Sequence, residues 1–496
     1  MRTLSKIRKP TNCVYFLMII SSVFLFQDRL MADNIITSGT TMRVTAGTTV
    51  VSQTSVTIQN GATLNNLGTL VLSGNLTNQN ASANSLGTGT IVMSGTSVQA
   101  ISGQNIFGNL TLNNASGITL GGNSTLNGSI TFTSGRITLG SNNLLLGTAA
   151  LVAGAPSATS MVVATGSGQL RKSFSGTGSF TFPVGDAIGT VEYTPVTVNF
   201  TAGSFAAGNY AGVNLTNSAY PGATGSYINR FWGVAQSGIT GFTCNATFKY
   251  MPADVVGTEN LIYCLRITPV SVVYFSVANT ASDLLTANGI TEFGTFTGIQ
   301  QLANKTLNLT ALLEGLYNGS GTMRKARNAT GDQFTGTTAD QISIELHNPA
   351  SYASKLFTAG NVNLSTTGAS SVTIPGLYNG SYYVTVRHRN SIETTTATPV
   401  SFAGGTINYS FDAPSKAYGS NLILMAGPGT WYAIYGGDVT QDGSVDTGDM
   451  TPVDNDAAAF VAGYVVTDVN GDGSVDTADI TIIDNNSAAF VTSATP

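Results

Sequence analysis

Short runs in which apolar residues alternate with threonine, serine or asparagine fill the N-terminal part of the chain. Residues 33–150 contain many such runs, including 54–64 and 128–140, and glycine or asparagine separates them at intervals of roughly 10 to 20 residues. A period of two is typical of β-strands, and no helical pattern interrupts it. We therefore predict a β-solenoid that stacks one rung on the next and turns at Gly and Asn, whose amides can form ladders. A flat antiparallel sandwich is the alternative interpretation.

The pattern changes after residue 150. Aromatic residues and prolines enter in residues 151–302 and the apolar runs lengthen, which predicts an antiparallel β-sandwich. Trp232 lies between Phe231 and Val234, so we expect it in the core; the alternative is an exposed tryptophan that stacks on sugars. Residues 303–428 contain further alternating strands, and the motif Gly-x-Tyr-Tyr-Val-x-Val from Gly380 resembles the small Ig-like or prealbumin-like modules of secreted bacterial proteins. This resemblance implies a second β-sandwich.

Residues 1–32 have the features of a signal peptide. Positive residues precede an apolar run of 13 residues, Val14–Phe26, and Ala32 offers a small residue for cleavage. A short N-terminal membrane anchor is the alternative, but 13 residues are too few to span a bilayer comfortably. No other segment approaches 18 apolar residues, so we expect no transmembrane segment after signal removal. The expected location is secreted or cell-surface.

Export to an oxidising compartment affects the cysteines that remain after signal removal. These are Cys244 and Cys264, and each lies in a strand-like stretch. Because disulfides form and persist in such compartments, we predict that the two are bridged. Two buried free thiols are the alternative.

Charge is concentrated at the C-terminus. The formal charge is −5, and removal of residues 1–32, which carry five basic residues and one acidic residue, changes it to −9. Residues 436–496 contain eleven Asp and no Lys or Arg. Such a surface excludes nucleic acid as a partner and favours a cation.

The Asp-rich segment is an internal duplication with an offset of thirty residues. Asp438–Asp449 aligns without a gap with Asp468–Asp479, with oxygen-bearing side chains at positions 1, 3, 5, 9 and 12 and Gly at position 6. This is the spacing of an EF-hand loop, in which alternate residues point inward to surround a hard cation and Gly permits the sharp bend. We predict two calcium ions. The predicted ligands are Asp438, Thr440, Asp442, Ser444 (by its carbonyl), Asp446 and Asp449 in the first loop, and Asp468, Asn470, Asp472, Ser474 (by its carbonyl), Asp476 and Asp479 in the second.

The first loop is predicted to bind more weakly, because the Thr440 hydroxyl replaces the amide oxygen of Asn470. An acidic turn in a disordered tail is the alternative to a metal site. Asp at position 12, the thirty-residue duplication and one helix after each loop resemble a type I dockerin over residues 437–492. The resemblance implies a small α-helical calcium module and a cohesin-like partner. The helices lack the basic residues usual in dockerins, and the corresponding recognition positions are Thr447, Gly448, Thr477 and Ala478.

The sequence shows no catalytic constellation. His347 and His388 are the two histidines, and no nucleophile motif accompanies them, so we interpret both as structural. The charged residues between 33 and 170 are Asp33, Arg43 and Arg136, which is too few for an acid/base pair on a solenoid face. We therefore predict a protein that is not an enzyme.

The predicted fold class is mainly β, with an N-terminal solenoid, two sandwiches and the C-terminal calcium module. This order resembles the large surface or adhesin-like proteins of Bacteroidetes-type bacteria. It implies a non-catalytic secreted or cell-surface protein with a calcium-binding docking module, whose partner is a cohesin-like protein or a surface glycan. The alternative is a dockerin-borne component of a polysaccharide-degrading assembly, either carbohydrate-binding or a glycoside hydrolase.

Overall fold

The computed structural model describes residues 33–496, so the predicted signal peptide, 1–32, lies outside the described residues. Strands account for 51% and helices for 8% of the structure, which confirms the mainly β class. The chain divides into two compact units. The first contains residues up to Tyr220 together with 225–266 and 274–300, and the second contains 221–224, 267–273 and 301–496.

The first unit begins with many short strands. In chain order they are β1 (Asn34–Ile36), β2 (Thr41–Val44), β3 (Thr49–Ser52), β4 (Val56–Ile58), β5 (Thr63–Asn66), β6 (Thr69–Leu72), β7 (Leu76–Asn78), β8 (Asn84–Ser85), β9 (Thr90–Met93), β10 (Gln99–Ser102), β11 (Asn105–Phe107), β12 (Asn109–Asn113), β13 (Ile118–Gly121), β14 (Ser124–Leu126), β15 (Ser129–Ser134), β16 (Ile137–Thr138), β17 (Leu144–Leu146), β18 (Leu151–Gly154), β19 (Val162–Val163) and β20 (Leu170–Lys172).

These strands form a β-solenoid, as the alternating pattern predicts. Every third strand pairs in parallel, so that β3, β6, β9, β12, β15 and β18 make one six-stranded sheet. Apolar side chains of neighbouring rungs lie in register, for example Leu70 beside Ile91 and Leu110 beside Ile130, and all four are at most 2% exposed. The stacked inward-facing residues make a continuous core, which an isolated rung could not form.

The remaining strands of this part include several that are much longer. They are β21 (Gly178–Phe182), β22 (Val184–Asp186), β23 (Glu192–Tyr193), β24 (Val196–Thr216), β25 (Tyr227–Lys249), β26 (Val255–Val256), β27 (Ile262–Thr268), β28 (Ser271–Val277), β29 (Leu284–Ile290) and β30 (Thr295–Gln300), with short 3-10 helices at Pro252–Asp254 and Glu259–Leu261.

No break separates the solenoid from these strands. The last solenoid strand, β20, pairs antiparallel with β24, and β24 pairs with β25, so one sheet runs from the rungs into the long hairpin. Trp232 on β25 is fully buried against Phe248, which stacks on Phe296 at 4.7 Å between ring centroids. The prediction of a core tryptophan is confirmed.

The predicted disulfide is absent from the structure. Cys244 and Cys264 are both free thiols, and both are buried. The physical reason is the strand order, because Cys244 on β25 lies opposite Phe200 and Ile290, whereas Cys264 lies on β27, which β30 separates from β25. Burial raises the pKa of both thiols, that of Cys244 to about 12.

The second unit is built from shorter sheets and two helices. Its elements are β31 (Lys305–Thr310), β32 (Arg327–Asn328), β33 (Gly331–Asp332), β34 (Thr338–Asn348), β35 (Ser351–Ser365), β36 (Ala369–Ile374), β37 (Ser381–His388), β38 (Ser391–Thr395), β39 (Val400–Ser401), β40 (Thr406–Ser410), β41 (Ile423–Met425), β42 (Trp431–Ala433), α1 (Thr447–Ala458) and α2 (Thr477–Ala488), with 3-10 helices at Pro414–Lys416 and Tyr418–Ser420.

The two larger sheets of the second unit precede the Asp-rich segment, and we refer to them as the C-terminal sheets. One consists of β36, β31 and β40, and the other of β35, β34, β37 and β38 with β39 at its side. Their buried apolar residues alternate with more exposed polar ones, as in β31, where Leu307 and Leu309 are buried and Thr306 and Thr310 are exposed. The segment 436–496, which carries both helices, belongs to the same compact unit as these sheets.

Candidate metal centre

Two twelve-residue loops, Asp438–Asp449 (loop 1) and Asp468–Asp479 (loop 2), each lead into one helix. Asp446 is the N-cap of α1, where its Oδ1 accepts from Gly448 N at 2.6 Å while its own N–H donates to Asp449 Oδ2 at 3.0 Å. This reciprocal capping box satisfies backbone donors that a helix start would otherwise leave without partners. Asp476 and Asp479 make the same pair of bonds at α2. Helix capping therefore fixes the last four residues of each loop.

The carboxylates at positions 1 and 12 fold inward over the loop backbone. Asp449 Oδ1 accepts from Thr440 N at 2.9 Å, and Asp438 Oδ2 accepts from Gly443 N at 3.2 Å. Loop 2 repeats both bonds, from Asn470 N to Asp479 at 2.9 Å and from Gly473 N to Asp468 at 3.1 Å. The position-6 glycines have φ of 89° and 91°, the left-handed bend that the spacing predicts.

Acidic groups are buried close to one another in both loops. Asp438, Asp449, Asp468 and Asp479 are at most 2% exposed. Burial raises the pKa of Asp438 to about 6, and the neighbouring charges of Asp449 and Asp442 act in the same direction. Burial also raises the pKa of Asp468 to about 6, and the charge of Asp479 raises it further against the opposing charge of Arg389. A positive charge in the loops would relieve this cost of ionisation.

The residues fit a hard cation in their donor chemistry. Asp438 Oδ1 is buried and has no hydrogen-bond partner among the described residues. One carboxylate oxygen of loop 1 is therefore available to a ligand that the protein itself does not provide. All the predicted ligand atoms are oxygens, which calcium prefers. The predicted ligand set is mixed, with amide, hydroxyl and backbone oxygens beside the carboxylates. Within residues 33–496, no cluster of three His, Cys, Asp or Glu side chains could hold a metal ion by itself.

The other predicted ligands, apart from the buried Asn470, lie nearer the loop surface. Asp442 Oδ1 accepts from Ser444 N and Asp472 Oδ1 accepts from Ser474 N, both at 3.0 Å. Asn470 is more enclosed, and its Oδ1 accepts from Asp472 N at 2.8 Å. The structure therefore places the six predicted residues of each loop on a single twelve-residue turn, in the same arrangement twice.

Each loop pairs with the chain that follows the other helix. Val445 N donates to Val491 O at 2.9 Å, and Val475 N donates to Val461 O at 3.0 Å. Loop 1 therefore contacts the end of α2, and loop 2 contacts the end of α1. This exchange makes the duplicated halves one structural unit instead of two independent loops.

Residues that sequence reasoning missed join this segment to the C-terminal sheets. Glu314 Oε2 accepts from Gly436 N at 2.8 Å and from Asn486 Nδ2 at 2.6 Å. Asp340 accepts from the Tyr464 hydroxyl at 2.5 Å. No local signal marks these residues, because each partner lies more than 120 positions away along the chain.

The two histidines lie in buried ion-pair networks of the C-terminal sheets. His388 Nε2 is 3.1 Å from Asp340 Oδ2, and His347 Nε2 is 3.1 Å from Glu345 Oε2. Burial would raise the pKa of Asp340, but the hydrogen bond from His388 and the charges of His388 and Arg389 outweigh it and hold this pKa at about 2. The interpretation of both histidines as structural fits these contacts.

The first unit contains its own buried charge cluster. Arg230 is fully buried and pairs with Asp186, Glu192 and Asp254, with 3.0 Å between Arg230 Nε and Asp254 Oδ2. Burial raises the pKa of Glu192, and the charge of Asp254 adds to this effect. No sequence pattern predicted that these residues pair, because they lie up to 44 positions apart.

Comparisons with known proteins give few similarities. No protein-family model matches the chain, and no curated protein matches it. Two solved structures of type II cohesin–X–dockerin complexes from Acetivibrio cellulolyticus, an N-terminal and a C-terminal interface mutant, are similar at 15% identity. Each similarity covers 38% of this chain and 99% of the other chain, with TM-scores of 0.23 and 0.22. Both TM-scores are too low for a shared fold to be inferred.

None of the helices in residues 33–496 has the length and apolar character needed to cross a bilayer.

Proposed function

We propose that the protein is a non-catalytic, secreted or cell-surface, adhesin-like protein whose segment 436–496 is a dockerin-like docking module stabilised by two calcium ions. The observation that carries the proposal is the duplicated loop, which buries four carboxylates in a segment without Lys or Arg. The solenoid would act as a spacer or adhesive shaft. In this proposal the long-stranded part of the first unit and the C-terminal sheets are two β-sandwiches, the second of them Ig-like.

Calcium would supply the positive charge that the loops lack. The predicted ligands of loop 1 and loop 2 would hold one ion each, and the ion would offset the cost that burial imposes on the ionised form of Asp438 and Asp468. The buried Asp438 oxygen without a partner supports this assignment. Because a site of this kind rarely exists in an unfolded chain, the binding free energy would contribute directly to folding.

Limited proteolysis of the full chain with and without a calcium chelator tests the calcium proposal. We expect cleavage within 436–496 to accelerate when calcium is removed, while the solenoid, which has no such loops, is cleaved at an unchanged rate. Equal protection of the segment in both conditions would contradict the proposal.

Exposed faces of α1 and α2 support a docking role. The exposed residues of the two halves are identical at seven of eight paired positions from Thr447 to Phe460 and from Thr477 to Phe490, and Gly448 paired with Ala478 is the exception. Among the less exposed pairs of the same stretches only Asp449 and Asp479 are identical. Stability rarely depends on exposed positions, so folding alone does not explain why these faces match. Binding of a partner would explain it.

The phenylalanines at the ends of these faces are suitable anchors. Phe460 is 89% and Phe490 is 86% exposed, and each is surrounded by a segment whose charges are all acidic. Large apolar side chains in such positions are typical of interfaces.

We expect the variant carrying both Phe460→Ser and Phe490→Ser to lose capture by a panel of immobilised cohesins in calcium. The matched control is Leu151→Ser, which replaces a 64% exposed residue of the solenoid. If no immobilised cohesin captures the unmodified protein, cohesins are not its partners.

A second candidate function is that of a carbohydrate-binding component of a polysaccharide-degrading assembly. Trp431 favours it, because this tryptophan is 39% exposed and its indole N–H is already bonded to Pro428 O at 2.9 Å, which fixes the ring. A fixed and exposed aromatic face suits stacking on a sugar. Glycan-array binding that is lost in Trp431→Ala would support this function, and an array without any bound glycan would oppose it.

A further inference from the structure

The backbone carbonyl at position 1 of each loop is hydrogen-bonded, but by donors of different origin. Asp468 O accepts from the side-chain amide of Asn390, at 2.9 Å, and Asn390 lies between β37 and β38 of the C-terminal sheets. The equivalent Asp438 O accepts at 2.6 Å from Gln441, which belongs to loop 1 itself. Gln441 also donates to Ser391 O of β38, at 3.3 Å, so loop 1 has one longer bond to the same sheet. The carbonyl at position 1 is nevertheless bonded from outside the loop in loop 2 and from within the loop in loop 1.

Further contacts fix loop 2 and the residues before it. Asn390 Nδ2 also donates to Val466 O at 3.1 Å, and Arg389 donates to Val465 O while lying over the Tyr464 ring at 4.5 Å. Arg327 N donates to Gly471 O at 3.1 Å. Within residues 33–496, the C-terminal sheets and their connections thus bind the chain on both sides of Asp468.

Close packing adds to these hydrogen bonds. A Cβ placed on Gly315 would lie 2.0 Å from Val469 O, so the backbone of the C-terminal sheet region touches the second residue of loop 2. Positions 3, 4 and 6 of loop 2 are buried, whereas positions 3, 4 and 5 of loop 1 are exposed. Loop 1 has fewer restraints at the positions that turn around the predicted ion.

Backbone strain at position 4 is also lower in loop 2 than in loop 1. Position 4 is left-handed in both loops, with φ of 70° at Gly471 and 59° at Gln441. Glycine adopts this conformation without strain, whereas a residue with a side chain does not. Loop 2 is therefore the less strained loop as well as the better supported one.

We propose that Asn390 is a positioning residue for the loop 2 calcium site, so that loop 2 binds calcium first and more tightly and its metal also stabilises the C-terminal sheets. This inference rests on the proposed calcium binding and deepens it. A loop that is already held in its bound conformation loses less freedom when the ion binds. The same contacts join loop 2 to the C-terminal sheets. Calcium binding to the folded loop must therefore also stabilise the sheets that unfold together with it.

Calorimetric titration of the full, calcium-free chain with calcium chloride tests the proposal. We expect two binding steps, and we expect Asn390→Ala to weaken the tighter step roughly tenfold, as the loss of the buried hydrogen bond to Asp468 O implies, while the weaker step is unchanged. Gln441→Ala is the matched variant, because it removes the equivalent bond to Asp438 O in loop 1, together with the longer bond from Gln441 to Ser391 O. It should weaken only the weaker step.

Thermal unfolding of the same variants provides the second measurement. Calcium should raise the unfolding temperature of the C-terminal sheets in the unmodified protein, and this increase should be smaller in Asn390→Ala than in Gln441→Ala. Two equal steps, or an Asn390→Ala variant that weakens both steps alike, would overturn the inference while leaving calcium binding intact. No binding to any of the three proteins would overturn the proposed function together with the inference.

Discussion

Two phenylalanines keep an unfavourable backbone conformation at the helix ends. Phe460 and Phe490 follow α1 and α2 with φ of 53° and 54°, in the left-handed region, although their side chains are almost fully exposed. Glycine is the residue most often found at this position after a helix. Because the rings cover little of the protein itself, stability does not account for phenylalanine at either place. The proposed role in binding would account for both.

Replacement of either phenylalanine by glycine should therefore stabilise the protein. We expect Phe460→Gly to raise the free energy of unfolding by about 0.5 to 1 kcal/mol, since the strain of the left-handed backbone is relieved and little packing is lost. Urea unfolding with an unchanged m-value measures the effect. Phe460→Ala is the control, because it removes the ring and keeps the strain. A lower stability in the glycine variant would show that the ring packs on the protein.

Local spacing predicted the residues of the loops but not what surrounds them. The positions of Asp468 and Asp479 follow from a twelve-residue pattern, and the capping box that orients Asp479 is local too. Asn390 could not be found in this way, because it contacts Asp468 across 78 positions. Its role depends on the packing of β37 and β38 against the Asp-rich segment, which no periodicity encodes.

At the scale of elements, solenoid turns depend on glycine for two different reasons. Gly39 and Gly103 both have positive φ, 76° and 80°. A Cβ on Gly39 would meet nothing within 4 Å, whereas one on Gly103 would lie 1.9 Å from Asn78 O in the preceding rung. The first glycine serves only the turn. The second also permits two rungs to stack.

This difference predicts unequal costs for the same substitution. Gly39→Ala should cost about 1 kcal/mol, from the left-handed backbone alone. Gly103→Ala should cost about 3 kcal/mol or more, since the methyl group also forces neighbouring rungs apart. Thermal or urea unfolding of the two variants compares them directly. Equal costs would mean that the rungs adjust without resistance.

Alternation along the chain was enough to predict the strands and the solenoid, because inward-facing residues such as Leu70 and Leu110 repeat with the strand period. It was not enough to predict how strands associate. The disulfide between Cys244 and Cys264 was expected from the compartment, and the strand order that separates them depends on pairing between distant segments. The pairing of β20 with β24 was missed for the same reason.

At the scale of the second unit, Asp340 connects the C-terminal sheets with the Asp-rich segment. It is fully buried and bonds to His388, Arg389 and Tyr464. Its pKa of about 2 is below the value near 3.9 of an unfolded aspartate. A lowered folded-state pKa means that the stabilisation is present above about pH 4 and is lost as the pH falls towards 2.

We therefore expect the stability of the second unit to fall by roughly 2 kcal/mol through Asp340 between pH 4 and pH 2. Asp340→Asn removes this titration, so its stability should be lower at pH 7 and should depend less steeply on pH in that window. Unfolding followed from pH 2 to pH 7 checks both statements. Identical slopes for the two proteins would show that Asp340 does not carry the acid sensitivity.

The continuous sheet from the solenoid into the long hairpin also has a consequence for the order in which the chain folds. The ribosome synthesises β1 to β20 before β24, so the edge of the last rung is unpaired until β24 has been made. An unpaired strand edge can pair with other chains. A fragment that stops before Val196 would keep that edge permanently. Synthesis from the N-terminus thus leaves the last strand of the solenoid unpaired until the long hairpin has been made. Premature termination would yield a species prone to aggregate.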